Sequence, residues 1–218
     1  MLTKINDCVE LITTNDMVVH ASNGLGLFEP ETFDTLDSLL HSGDLFLDIG
    51  AYTGIYSIYA AKKYDCTVYA FEPNPKVYDR LKRNIDVNET KNNVYTFPYA
   101  LSNEKKTTEL WVNPRTMLTS GGSIESVNAN YSCVQIQCEI YDELPISVPT
   151  VDGMKIDVEG HELSVLEGLS YTIERDKPFI IVECLTLLQA DSVTTFLCSM
   201  GYKRKAILDE RNFLFIFE

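Results

Sequence analysis

Phe46-Leu-Asp-Ile-Gly-Ala-Tyr-Thr-Gly54 is a short apolar run that ends in an acid and a glycine and then opens a helical pattern from Ile55 to Lys63. Apolar residues without polar alternation, closed by glycine, read as a strand buried on both faces. Gly50 permits a tight turn after that strand, and Gly54 permits close backbone approach where the helix begins. In an open α/β sheet, ligands bind outside the carboxyl ends of such strands.

The same punctuation recurs outward from this unit. Cys66 to Phe71 is a second apolar run ending at Glu72-Pro73-Asn74-Pro75, and Val77, Leu81 and Ile85 then mark an amphipathic helix. Val94 to Ala100 reads as a third strand. Upstream, Glu31 to Leu40 sets Phe33, Leu36, Leu39 and Leu40 at helical spacing, with Pro30 in the first turn and Gly43 at the end. Downstream come strands Met154 to Val158 and Phe179 to Glu183, alternating with helices Glu162 to Leu169 and Ser192 to Met200. Tyr202 to Leu208 and Phe213 to Phe217 form a hairpin across Asp209 to Asn212. Residues 106–139 break the alternation: Thr107 to Val112 and Cys133 to Glu139 flank a loop with Gly121 and Gly122, an antiparallel insertion. The pattern predicts a doubly wound α/β fold on a mostly parallel seven-stranded sheet, with that insertion and a C-terminal hairpin. It predicts a single domain over residues 1–218, in which residues 1–44 are a lead-in and helix.

Composition narrows the partners. The formal net charge of −14 over 218 residues opposes a phosphate backbone, so nucleic acid is not expected. Basic residues in Lys76 to Arg83 and Lys203 to Lys205 sit among apolar ones at element spacing and read as solvated faces. Residues 1–15 carry Lys4, Asp7 and Glu10 and resemble no signal peptide, and no run spans a bilayer; a cytoplasmic, membrane-free protein is expected. Six cysteines contain no C-x-x-C pair, and Cys133 and Cys138 would face opposite sides of a strand, so reduced thiols without a zinc site are expected.

A dinucleotide site wants G-x-G-x-x-G; here Tyr52 takes the middle position and Ile55 the last. Asp48 at the strand end also disfavours a nearby phosphate, whereas S-adenosylmethionine (SAM) carries an ammonium and a sulfonium and no phosphate. Glu72, 24 residues on and at the next strand end, would accept hydrogen bonds from ribose hydroxyls. Adenine would lie near Ala100, Leu101 and Ser102. The expected cofactor is SAM, held by Asp48, Gly50, Tyr52, Gly54, Glu72, Pro73, Asn74, Ala100, Leu101, Ser102 and Asp157. A dehydrogenase is the competing reading at the level of the fold.

Phe46 to Gly54, Ala70-Phe-Glu-Pro-Asn-Pro75, Ala100-Leu-Ser102 and Lys155-Ile-Asp-Val-Glu-Gly-His-Glu162 together resemble the successive motifs of the FkbM-type methyltransferases, from about Glu29 to Glu183. The resemblance implies a Rossmann-like class I methyltransferase fold and methylation of a hydroxyl on a sugar, glycoconjugate or natural product. Tyr52 departs from the family, which usually has Asn there.

Methyl transfer to a hydroxyl needs alignment and removal of a proton. Asp157, Glu159, His161 and Glu162 follow a strand and open a helix, so they should reach the crevice. His161 is the candidate base, kept neutral by the helix N-terminus and oriented by Glu159, with helix capping as the plainer alternative. Asp157 and Glu183 end neighbouring strands and would share a magnesium ion, or else Asp157 supports the cofactor's ammonium while Glu183 lines the pocket. In the insertion Asn113, Arg115, Ser123 and Asn130 offer polar contacts to a small-molecule or carbohydrate acceptor, and Trp111 or Tyr131 a stacking face, Trp111 being equally a core residue. The alternatives kept open are methylation of an amine or carboxylate on a small molecule or protein, and a SAM-binding module without chemistry.

Overall fold

A computed structural model of the chain describes residues 2–4, 8–12, 28–112, 132–146 and 149–218. The central sheet is built from β3 (Leu45–Ile49), β4 (Thr67–Phe71), β5 (Val94–Phe97), β9 (Gly153–Ile156), β10 (Phe179–Glu183), β11 (Tyr202–Leu208) and β12 (Asn212–Phe217). Their order is β11-β12-β10-β9-β3-β4-β5. Pairing is parallel except along β12, which runs antiparallel to both neighbours and so slots between β10 and β11. The chain moves from β3 outward to β4 and β5, then returns to β9 on the other side of β3. The C-terminal ends of β3 and β9 therefore flank the topological switch point, where such sheets open a crevice.

Every residue of β3 is buried, as its unalternating sequence requires. Phe46 packs with Val68, Ala70 and Ile181 against helices α1 (Pro30–Leu39), α2 (Ile55–Tyr64) and α3 (Pro75–Val87). Leu45, Leu47 and Ile49 point the other way, against α4 (Glu162–Glu167), α5 (Ser170–Asp176) and α6 (Leu187–Ser199). Two hydrophobic layers thus sandwich one sheet, with alternate strand residues feeding each.

Several boundaries differ from the sequence expectation. Pro98 has no N–H to give, and after it the expected third strand breaks: β5 stops at Phe97, and β6 (Ala100–Leu101) joins a second sheet. There β6 pairs with β8 (Ser132–Glu139), which pairs antiparallel with β7 (Lys106–Val112). The helix expected from Glu162 to Leu169 ends at Glu167, ahead of Gly168, where a side chain would lie 2.1 Å from the Ser102 carbonyl oxygen, and an unexpected helix, α5, follows with Asp142 capping Tyr171 and Thr172. The last helix starts earlier than expected, at Leu187, where Thr186 and Gln189 form a capping box. Gly43 does not end α1; it lies in the turn that enters β3. Cys133 is exposed and Cys138 buried, on opposite faces of β8.

Two long-range ties hold the N-terminal part. A short hairpin of β1 (Leu2–Lys4) and β2 (Glu10–Ile12) is fastened to α3: Asn84 accepts from the Ile12 amide at 2.7 Å, and Asn88 accepts from the Glu10 amide at 3.1 Å. Helix α1 lacks a cap of its own; the Asp209 carboxylate accepts from the Glu31 and Thr32 amides instead, and Glu31 accepts from the Asp209 amide. No helix among the described residues is long and apolar enough to cross a membrane.

Candidate active site at the sheet switch point

Asp48 ends β3 but does not face a ligand. Its buried carboxylate accepts from the Ser57 amide at 3.0 Å and from the Ser57 hydroxyl, tying the strand end to the first turns of α2. Burial pushes its pKa up to about 6, against those hydrogen bonds. Gly50 has φ +84, and a side chain there would lie 1.9 Å from the Asp157 carbonyl oxygen, so the turn presses directly on the end of β9. Gly54 also differs from expectation: a side chain there would strike Leu81 at 2.5 Å, so its closeness serves packing of α2 on α3 and not a ligand.

Between these glycines Tyr52 adopts a left-handed conformation, φ +48, which Asn tolerates better than Tyr. Its amide donates to Glu72 Oε2 at 3.0 Å, and the Asn74 amide donates to Glu72 Oε1 at 2.8 Å. Glu72 is buried, and that burial raises its pKa to about 8 despite the two amides. Asn74 caps α3 through its Oδ1, leaving its buried Nδ2 without a partner among the described residues. Pro73, between them, is half-buried. Leu101 and Ser102 are buried beyond β6, with Ala100 half-buried before them.

A polar layer lies on the α1–α2 face of the neighbouring strands. Alternation puts Asp48 beside Lys155 in register, with Gly50, Asp157 and Glu183 one step further toward the edge. Lys155 is 1% exposed, with Nζ 3.6 Å from Asp157 Oδ2 and 5.5 Å above the centre of the Tyr56 ring. Glu29, just ahead of α1, reaches into the same layer and accepts from the Tyr56 hydroxyl. Burial raises the pKa of Glu29 and of Glu183, the latter also through the nearby Asp157 carboxyl. Lys155 keeps a raised pKa in spite of burial because Asp157, Glu29, Glu183 and Asp48 surround it.

His161 is placed elsewhere. Its Nε2 lies 2.9 Å from Ser102 Oγ, and its charged surroundings are Lys106, Glu104 and Glu167. Burial lowers its pKa, which favours the neutral ring. Glu159, raised to about 7 by burial, is surrounded instead by Asp157, Glu162, Arg211 and Lys155. The expected Glu159–His161 pairing is therefore not formed: β9 ends in a turn with Glu159 and Gly160 both at positive φ, which parts the two side chains.

Sequence reasoning gave no role to Lys155, Glu29, Tyr56 or Ser57. Lys155 carried a signal, a charge inside an otherwise apolar strand two residues before an acid; Glu29 carried none, since only folding brings it to β9. Trp111 is half-buried on β7, while Asn113, Arg115, Gly121, Gly122, Ser123, Asn130 and Tyr131 lie outside the described residues.

The donors and acceptors present fit a nucleoside with a cationic tail. Glu72 keeps an unused lone pair on each oxygen, Asn74 Nδ2 has hydrogens to give, and carboxylates dominate the edge. The magnesium expectation does not fit. A buried ammonium already faces Asp157, and no group of three metal-binding side chains occurs among the described residues.

The hexuronic acid methyltransferase AglP of Haloferax volcanii is 31% identical to this chain over 156 residues, 71% of this chain and 61% of that protein. Methyltransferase sdnD of Sordaria araneosa is 29% identical over 160 residues, 60% of this chain and 62% of that protein. The chain thus spans about six tenths of the length of these relatives. Among solved structures, a methyltransferase FkbM from Methylobacillus flagellatus superposes with a TM-score of 0.58 at 17% identity, covering 80% of this chain and 44% of that one, a likeness of fold. The methyltransferase FkbM domain matches residues 48–204, which take in Asp48, Lys155, Asp157 and Glu183 of the polar layer but not Glu29, and the chain belongs to that family.

Proposed function

We propose that this protein is a SAM-dependent O-methyltransferase whose acceptor is a hydroxyl of a sugar, glycoconjugate or natural product. The observation that carries this reading is the position of Asp157. Its backbone touches the Gly50 turn, while its carboxyl, 32% exposed, opens at the sheet edge. Glu72 and Asn74 would hold the ribose, Leu101 and Ser102 the adenine, and Asp48 would keep the turn in shape through Ser57. When bound, SAM supplies a methyl carbon on a cationic sulfur; its transfer to a hydroxyl oxygen forms a C–O bond, leaves the C–S pair on sulfur and releases the hydroxyl proton. Asp157 accepts that proton. His161, tied to Ser102, holds the adenine-side loop against α4. The name of the Haloferax relative supports a carbohydrate acceptor.

Calorimetry with S-adenosylhomocysteine (SAH) and with NAD tests the cofactor. Micromolar binding of SAH and none of NAD is expected; the reverse overturns the reading. Mass spectrometry after incubation with SAM and a panel of neutral glycosides, glycosides of hexuronic acids, phenols and amines tests the acceptor. Methyl ethers are expected, and methylation confined to nitrogen or to carboxylates overturns the hydroxyl assignment.

A further inference from the structure

Among the described residues, Val87, Tyr95, Tyr171 and Ile207 are large apolar side chains exposed singly, which is ordinary. The start of α6 is different. Leu187 and Leu188, its first two residues, are 82% and 77% exposed, and Leu185 just ahead of them is 40% exposed. A first helical turn ordinarily favours acidic side chains, which suit its unpaired amides and the helix dipole. This chain has 32 acidic residues, yet none lies in that turn. The capping box fixes the turn, the Thr186 amide donating to Gln189 Oε1 at 2.9 Å and the Gln189 amide to Thr186 Oγ1 at 3.3 Å, so the leucines stay presented to solvent. Their place is the rim of the candidate site. β10 ends at Glu183, one step beyond the Val182–Ile156 pairing and so level with Asp157. Leu185 follows two residues later, and Leu187 lies within about 14 Å of Glu183 along the chain. Leu188 stands one turn ahead of Asp191 and Ser192, and the Ser192 hydroxyl donates to its carbonyl at 3.0 Å. Those two residues, with Leu163, Glu167, Thr195 and Phe196, line a groove of about 460 Å³ between α6 and α4.

We propose that Leu185, Leu187 and Leu188, with this groove, form a subsite for an uncharged apolar aglycone carried by the sugar whose hydroxyl is methylated. The proposal deepens the O-methyltransferase reading of the preceding subsection and rests on it. Three observations choose this occupant. The leucines continue the sheet edge at which Asp157 opens, so a group linked to the reacting sugar reaches them without leaving the surface. Charge disfavours an anionic membrane or an anionic tail, since the chain carries −14 and Glu167 and Asp191 line the groove. Area disfavours a stable dimer through this patch, because three exposed leucines fall far short of the about 800 Å² per partner that such an interface buries. What fits is an alkyl or aryl group small enough to ride on a sugar. Its binding is driven by removal of both apolar surfaces from water, so discrimination grows with the number of methylenes covered. Polar groups at the strand ends then select the ring, and the leucines select what the ring is attached to.

Octyl and methyl glucuronosides, identical in the reacting ring, test the idea on the full chain with SAM, the octyl compound being kept below its micelle concentration. The octyl-over-methyl ratio of kcat/KM should be at least about tenfold in the wild type and arise in KM. Tenfold is about 1.4 kcal/mol, which burial of about two methylenes supplies. In the double variant Leu187→Ser/Leu188→Ser the ratio should fall to within about twofold; being a ratio, it is insensitive to any loss of folded protein. A ratio near one in the wild type overturns the proposal, as does a ratio preserved in the double variant. A second measurement needs no turnover: NMR of methyl-labelled leucine in the SAH-bound wild type should show Overhauser contacts from the octyl chain to Leu187, Leu188 and Leu163, and their absence overturns the proposal. Without an octyl preference, a concentration-dependent dimer or flotation with phosphatidylcholine vesicles that the double variant abolishes would assign the patch to a second copy or to a membrane, overturning it too. Octyl contacts at these leucines with neither glycoside methylated would support the surface and count instead against the hydroxyl reading.

Discussion

Replacing Gly50 with Ala should uncouple the cofactor turn from the end of β9, and Gly43 supplies the control. Both glycines sit at similar left-handed angles, φ +84 and +90. An L-residue there costs about 1–2 kcal/mol from backbone sterics alone. At Gly43 nothing lies within 4 Å of the added methyl, so Gly43→Ala should lose only that amount. At Gly50 the methyl would lie 1.9 Å from a backbone oxygen of Asp157, which has to retreat by roughly 1 Å and cannot rotate away. Overpacking of this kind adds about 1–3 kcal/mol, so Gly50→Ala should lose about 2–5 kcal/mol in urea unfolding. The strain also displaces the turn that carries Tyr52, whose amide holds Glu72 in place for the ribose. SAH binding should therefore weaken at least tenfold in Gly50→Ala and stay within about twofold in Gly43→Ala, corresponding to about 1.4 and 0.4 kcal/mol. Equal unfolding midpoints for the two variants would refute the contact, and normal SAH affinity in Gly50→Ala would refute its link to the site.

Three further outcomes are expected. Burial raises Asp48 to about 6 and Glu72 to about 8, so the folded chain holds protons that the unfolded chain releases; stability should fall as pH rises from about 4.5 through 8, and Glu72→Gln should flatten that fall in urea titrations at pH 5 and 8.5, whereas a rise would contradict the sign. Asn84→Ala removes both an acceptor for the Ile12 amide and a donor to the Thr53 carbonyl, so about 2 kcal/mol should be lost and the Ile12 amide should exchange faster, protection like wild type counting against the tie. His161→Ala should weaken SAH about tenfold through release of Ser102 and leave single-turnover transfer at saturating SAM nearly unchanged; a large loss of transfer under those conditions would return the base role to His161.

The parallel strands were legible because strands buried on both faces must be mostly apolar, and Leu45 to Leu47 and Phe179 to Val182 are wholly so. The pair Asp48 and Glu72 was legible as ends of adjacent strands, although no periodicity signals that Asp48 turns toward Ser57. What could not be read are contacts made by folding alone. Glu29 meets Tyr56, and Asp209 caps α1, across separations that no periodicity records. His161 was assigned to the wrong neighbour for a related reason: the left-handed pair Glu159 and Gly160 sends successive side chains apart, and handedness at a non-glycine residue is not visible in composition. Lys155 stands out only once the fold buries it, since a lysine in a strand is ordinarily a solvated one.

The placement of β12 between β10 and β11 has a consequence for synthesis on the ribosome. β11 emerges before the strand that will separate it from β10, so it cannot take its final place when it appears. The turn joining the two carries Asp209, the cap of α1, and α1 follows directly on Glu29. A nascent chain complete through β10 would have both rows of strand-end acids but an unsecured first helix. The site thus closes late, after the hairpin has threaded home, and a stalled chain would expose the α1–α2 face of its sheet to chaperones.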